Sequence, residues 1–443
     1  MARSATTSGG EHRRIALAAA TGTTIEWYDF FTYALCTGLV FNSQYFAGLG
    51  ENALLVSFAT IGISFVFRPA GAALAGHLGD RIGRRGTLIL TLVLMGASTA
   101  LIGMIPPADT IGVAAPVLLV LLRILQGLSA GGEWGGAALL AVEHAPPHRR
   151  GLFGTYPQLG APAGLLLSNG VLAAVASTTS NEQFLAWGWR IPFLLSIVLI
   201  VVGMLIRAKV AESPVFREMQ QSEVRERSPL RTVLTRNLAM ITAGALLFAA
   251  NNAAGYMTTG GYVQSYAVNN LGMSQSAVLL AVMASAVVWM ASTAFAGWLS
   301  DRIGRLRVYR IGFLVQLLWM FPFFALVDSG DIGLLSVALV FYSVGLGLTY
   351  GPQAALNSEM FPAPVRYSGV AITYAIGAIL GGAFAPTIAE ALQSNTGSVY
   401  PVGGYLAALT AVGLVVACIT KDRIGVPLHP AHPSDEERRA PQR

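Results

Sequence analysis

Four ionisable side chains interrupt long apolar runs of this 443-residue chain, the positions where charge is least expected. Glu26 and Asp29 lie three residues apart in the run 16–41 and so share one face of a helix. Arg123 lies in the run 112–140, and Glu133 follows about 15 Å further along it. An ionisable group inside a bilayer costs several kcal/mol and is a functional position by default. An acid on one helix opposite an arginine on another can handle a proton. The ionised acid holds the guanidinium, and the protonated acid releases it to take an anion. Low dielectric and a like-charged neighbour favour the neutral form of one of two carboxyls. Asp29 and Arg123 are therefore the expected coupling pair, with Glu26 beside them. The rival reading is a buried ion pair that only fixes helix packing. Glu133 can relay protons or gate, or simply pair with a cation such as Arg68.

Uncharged polar residues suggest where a solute would sit. Asn251 and Asn252 are adjacent amides in an apolar run, followed by Tyr256 and the Gly260-Gly261 pair. Amides in lipid need partners, which a solute hydroxyl, a carboxylate or a neighbouring helix can supply. Arg123 and Gln126 are further candidate solute contacts, and Tyr156, Gln158 and Tyr342 are weaker ones. No phosphate loop, metal cluster or nucleophile constellation appears in the sequence. The expectation is a chain that is not an enzyme, with no metal and no cofactor beyond the proton as coupling ion.

The elements that must hold these residues follow from composition. Hydrophobic residues make up 54% of the chain and charged residues 11%, with mean hydropathy +0.60. A soluble domain carries about 25% charged residues, so lipid must cover most of this surface. The apolar runs are continuous and not alternating, which means helices. Twelve spans are expected, near 16–41, 53–76, 87–105, 112–140, 150–176 and 187–207, then 237–267, 275–299, 306–327, 332–359, 366–392 and 399–420. The gaps after even-numbered spans hold the arginines, among them Arg81, Arg84, Arg149, Arg302 and Arg305, with Arg366 opening span 11. The gaps after odd-numbered spans hold Glu51, Asp109, Glu182, Asp328 and Asp331 and no Lys or Arg. Positive residues stay inside, so both termini are expected in the cytoplasm. The net charge of +6 is topological, and nucleic acid is not an expected partner. Residues 1–15, 208–236 and 421–443 are read as cytoplasmic, the last as a disordered tail. Residues 16–207 and 237–420 are read as the two six-helix units.

The two units repeat one another. Gly76-x-x-x-Asp80-Arg81-x-Gly83-Arg84 recurs as Gly297-x-x-x-Asp301-Arg302-x-Gly304-Arg305, 221 residues later (297 − 76). Glu143, before Pro146 and Arg149, recurs as Glu359 before Pro362 and Arg366, 216 residues later (359 − 143). Parallel repeats about an axis along the membrane normal are a transporter architecture with a solute site between them. The symmetric acids and arginines suggest an inner gate that closes and breaks. Its expected members are Asp80, Arg81, Arg84, Glu143, Arg149 and Glu212 with Asp301, Arg302, Arg305, Glu359 and Arg366.

With these motifs the chain resembles the major facilitator superfamily over nearly its whole length. More narrowly it is similar to the metabolite:proton symporters, including shikimate-type carriers of bacterial inner membranes. The residues behind this are Glu26-Trp-Tyr-Asp-Phe-Phe, Phe67-Arg-Pro, Arg123-Ile-Leu-Gln-Gly, Gly131-Gly-Glu-Trp-Gly-Gly, Phe184-Leu-Ala-Trp-Gly-Trp-Arg-Ile-Pro-Phe and Glu212-Ser-Pro. The resemblance implies an all-α fold of two six-helix bundles related by a pseudo-two-fold axis. In the related sugar–proton porters an acid on span 1 pairs with an arginine on span 4, and Asp29 and Arg123 match those positions. Uptake of a small organic acid with a proton is the expected activity, in a monomer spanning the inner membrane. The alternatives are a proline- or betaine-type zwitterion symporter, an exporter, or a membrane sensor on the same fold.

Overall fold

The computed structural model describes residues 9–82, 84–207, 229–259, 261–426 and 428, with the backbone alone at 9–15, 18, 76–82, 84–88, 207, 229–231, 256–259 and 364. It is helical throughout the membrane. Span 1 is Gly9–Cys36, running on into a π turn at Thr37–Phe41. Spans 2 and 3 are Ala53–Ile82 and Arg84–Ile102. Span 4 is broken into Ala114–Ala130 and Glu133–Glu143, and spans 5 and 6 are Arg150–Thr178 and Arg190–Arg207. A short helix, Pro229–Arg236, precedes span 7, which is Leu238–Thr259 followed by Tyr262–Ser265. Spans 8 and 9 are Gln275–Ile303 and Arg305–Asp328. Span 10 is broken into Ile332–Tyr350 and Gln353–Met360. Span 11 is Arg366–Ala378, a π turn and Ala385–Thr396, and span 12 is Tyr400–Ile419.

Among the described residues, nine of these helices are long and apolar enough to cross a membrane alone. A tenth crosses if the bent pair Asn181–Gly188 and Arg190–Ile206 is one span. The first span, with Glu26 and Asp29, and the third, whose apolar stretch is Ile89–Ile102, complete the twelve. Large apolar side chains such as Leu205, Leu318 and Ile419 face outward, where lipid and not water is the solvent.

Both halves pack alike. Span 1 lies on spans 5 and 6, span 2 on span 4, and span 3 on spans 4 and 6. The second half repeats this with span 7 on spans 11 and 12, span 8 on span 10, and span 9 on spans 10 and 12. The halves meet through span 5 against span 8 and span 2 against span 11, again a symmetric pair.

Three departures from the sequence reading have local causes. The duplicated motif is not a loop. Its Gly76–Ile82 and Gly297–Ile303 portions are the last turns of spans 2 and 8. In the second copy the chain reverses at Gly304 alone, whose φ of +111° suits glycine. Span 4 breaks at Gly131-Gly132, and a Cβ at Gly131 would stand 2.0 Å from the Arg68 carbonyl, so span 2 can approach only glycine there. The tail is ordered at its start: residues 421–426 and 428 lie against the basic end of the bundle, held by the hydrogen bonds given below.

Candidate functional site

The membrane-embedded charges of the first half gather around one small cavity. Asp29, Phe30, Ser64, Arg68, Met95, Arg123, Gln126 and Ala130 line it. Spans 1, 2, 3 and 4 each contribute. Arg123 is fully buried and is held on every side. It donates to Gln126 Oε1 (2.7 Å), Ser64 Oγ (2.7 Å), and the carbonyls of Ile61 (3.1 Å) and Thr60 (3.4 Å). Its guanidinium also lies 3.9 Å above the Tyr33 ring, a cation–π contact. Gln126 passes the chain on to Thr99 Oγ1 at 2.7 Å.

The expected Asp29–Arg123 ion pair is not made. Asp29 accepts a 2.5 Å hydrogen bond from Ser196 Oγ on span 6 and forms no salt bridge among the described residues. The physical reason is that Arg123 has its donors satisfied by span 2 and Gln126, so acid and base share a cavity without touching. Glu26 pairs with Arg68 at 3.6 Å. Arg68 thus has a partner other than Glu133. Glu133 is buried at the start of the second piece of span 4, within electrostatic reach of Asp29.

A second cavity lies between the halves. Trp27 and Phe31 of span 1 line it with Asn251, Asn252 and Gly255 of span 7, Trp289 of span 8 and Tyr350 of span 10. None of these lining residues is ionisable at neutral pH. The Asn251 amide nitrogen donates to Thr349 Oγ1 (2.5 Å) and to the Leu346 carbonyl (3.2 Å). Thr349 in turn accepts from Gln316. The nitrogen of Asn251 is therefore committed to span 10, which leaves its carbonyl oxygen as the group able to face the cavity. Trp27 and Phe31 are four residues apart and Asp29 lies between them on another face, so span 1 is the wall separating the two cavities.

The remaining sequence candidates fall elsewhere. Gln158 fastens the halves: it accepts from Trp134 Nε1 (2.9 Å) and donates to the Tyr350 carbonyl (3.0 Å) and Gln353 Oε1 (3.1 Å). Trp134 stacks on Tyr374 at 3.9 Å, and Tyr374 on Phe248 at 4.4 Å, continuing this layer. Tyr156 packs on Phe153, and Tyr342 packs on Phe323 within the second half. Neither lines either of the two cavities described above. The side chain of Tyr256 lies outside the described residues.

At the basic end, ion pairs cross between the halves. Asp301 accepts from the backbone N–H groups of Gly151 (2.7 Å) and Leu152 (2.9 Å), capping the N-terminus of span 5 from the opposite half. Arg305 bridges Asp301 (2.6 Å) and Glu359 (3.2 Å). Arg150 reaches Glu359 at 3.7 Å, and Arg366 reaches Glu143 at 3.8 Å. Two expected members are corrected. Arg149 is exposed, and its neighbour Arg150 makes the bridge. Arg302 lies over the Trp298 ring, one turn back on span 8, and makes none of these bridges. Glu212 and the side chains of Asp80, Arg81 and Arg84 lie outside the described residues. At the opposite end Asn269 donates to the Gly38 carbonyl (3.3 Å), so contacts join the halves at both ends.

Sequence reasoning missed Ser196, Ser64, Thr99 and Tyr33, which hold the charges, and Trp27, Phe31 and Trp289, which build the second cavity. Trp27 and Phe31 sit inside the string that carried the family resemblance, so they were visible without a role. A lone serine in an apolar run gives no signal.

With both sites placed, the comparison with known proteins decides the family. Residues 22–386 match the Major Facilitator Superfamily. The chain belongs to that superfamily. It is 40% identical over 415 residues to the inner membrane metabolite transport protein YhjE of Escherichia coli K12, covering 92% of this chain and 94% of that one. It is 38% identical over 420 residues to the shikimate transporter of the same organism, covering 93% and 94%. The solved proton:xylose symporter XylE superposes with a TM-score of 0.76 over 95% of this chain and 98% of that one, at 20% identity, a likeness of fold. The chain is a membrane transporter of small solutes, not an enzyme, built as two six-helix bundles.

Proposed function

We propose that this transporter imports a small organic acid together with a proton, by alternating access, as a monomer whose basic end and termini face the bacterial cytoplasm. One observation carries the coupling. Among the described residues, the buried charges around the first cavity are three carboxyls, Glu26, Asp29 and Glu133, and two guanidiniums, Arg68 and Arg123. Unequal charge in a low-dielectric site is costly, and binding one proton removes the inequality. Asp29 is the carboxyl for that proton, because it lines the cavity and lacks a salt-bridge partner. Arg150, Arg305, Arg366, Asp301, Glu143 and Glu359 form the inner gate, whose bridges break when the basic end opens.

The second cavity is the solute site. A monoanion fits the charge balance: the proton neutralises the first cavity as the solute brings one negative charge to the second. Buried charge is then equal in the empty and loaded carrier. A dicarboxylate would add a second charge with no cation lining the site. Four aromatic residues and two amides suit a hydroxylated ring, and a shikimate transporter among the relatives supports this. The second reading is a proline- or betaine-type zwitterion, whose ammonium the same rings favour through cation–π attraction.

The test is uptake of labelled shikimate, 2-oxoglutarate, proline and benzoate by proteoliposomes, with and without an inward proton gradient. Gradient-stimulated uptake of a cyclic monoacid is the expected result. Uptake indifferent to the gradient would sink the coupling, and preference for proline would select the second reading.

A further inference from the structure

The segment after span 12 ends on the two arginines that join the halves at the basic end. Asp422 accepts from the backbone N–H of Leu306 at 3.1 Å, at the N-terminus of span 9, where negative charge is favoured. Arg423 donates to the Met360 carbonyl at 3.4 Å. The Val426 carbonyl accepts from Arg150 Nη1, and the Leu428 carbonyl accepts from Arg366 Nη1, both at 2.7 Å. The Leu428 side chain is buried in the apolar core that runs through both halves. Arg150 belongs to the first half and pairs with Glu359 of the second, while Arg366 belongs to the second and pairs with Glu143 of the first. The strap therefore supplies a further acceptor to each guanidinium that bridges the halves.

We propose that residues 421–426 and Leu428 belong to a strap that holds the basic end shut, and that its release is a step in opening that end. The geometry requires release. The strap is continuous with span 12 and anchored on span 9, both in the second half. When the halves part at this end, Arg150 leaves with the first half, and its bond to Val426 must break. A hydrogen bond from a charged donor to a carbonyl is a strong one, so the strap adds to the barrier against opening. Whatever displaces Leu428 from its site would favour the inward-open state without touching either cavity.

The test uses two reporter cysteines, each in a chain carrying Cys36→Ala and Cys418→Ser, reconstituted in nanodiscs so that both faces meet reagent. Ala354→Cys reports the basic end, since Ala354 packs against Gly154 across the halves. Ser265→Cys reports the opposite end, since Ser265 packs against Gly38 across the halves. Each reporter is combined with Leu428→Asp, with Asp422→Ala, and with a stop after Thr420, and labelled with N-ethylmaleimide. Loss of the strap is expected to speed labelling at residue 354 by about tenfold and to slow it at residue 265. Solute counterflow identifies variants that fold. If the truncated chain does not fold, the two point variants decide. Unchanged labelling at residue 354 in an active variant overturns the proposal. Faster labelling at both ends also overturns it, since that is the mark of a general brace and not of a gate.

Discussion

The two halves share a packing plan and differ in what they bury at mid-membrane. The first half buries Glu26, Asp29, Arg68, Arg123 and Glu133 around its cavity. The second half offers Asn251, Thr349 and Gln316, joined by hydrogen bonds, with Asn252 bonded separately to the Ala378 carbonyl, and none of the four is ionisable. On the function proposed above, the first half handles the proton and the cavity between the halves takes the solute. Span 1 carries both, with Asp29 on one face and Trp27 and Phe31 on another. On that proposal a proton on Asp29 and a solute against Trp27 would act on the same helix, which is a direct physical route for coupling.

The division can be broken most severely at Arg123. Arg123→Ala leaves buried carboxylates with less compensation and removes the bonds to Ile61, Ser64 and Gln126. The expected result is a loss of about 3–5 kcal/mol in stability, read as a lowered melting temperature in detergent, along with lost transport. A variant as stable as the native chain would show that the first half does not depend on that charge. Asn251→Ala is expected to raise the KM for uptake by about tenfold and to leave the pH profile where it was. A moved pH profile would mean the two sites are not separate. Ser196→Ala removes one hydrogen bond from Asp29 and is expected to move the pH midpoint of uptake by about one unit with KM unchanged. A changed KM with a fixed midpoint would assign Ser196 to the solute instead.

The sequence made the scaffold legible because lipid imposes simple rules. Apolar runs located the spans, with the start of span 1 and the end of span 2 running six or seven residues further than expected, and Glu26, Asp29, Arg123 and Glu133 stood out because charge is rare there. Asn251 and Asn252 were found on the same ground. What stayed hidden was pairing. Which cation meets which acid depends on helix rotation and on small residues such as Gly131, where Arg68 can come close. Arg149 and Arg150 are adjacent and chemically alike, and only the start of span 5 decides that Arg150 turns inward. The aromatic walls were hidden for another reason: tryptophan and phenylalanine are ordinary in membrane helices, so Trp27, Phe31 and Trp289 carried no signal until the cavity between the halves gave them one.

The central claim is that proton coupling resides in the first half and solute recognition between the halves. Proteoliposomes carrying Asp29→Asn test it most directly, with accumulation against an imposed proton gradient measured beside solute counterflow. The account predicts that accumulation is lost and counterflow remains. Accumulation at the native level, or counterflow lost together with it in a folded protein, would contradict the division.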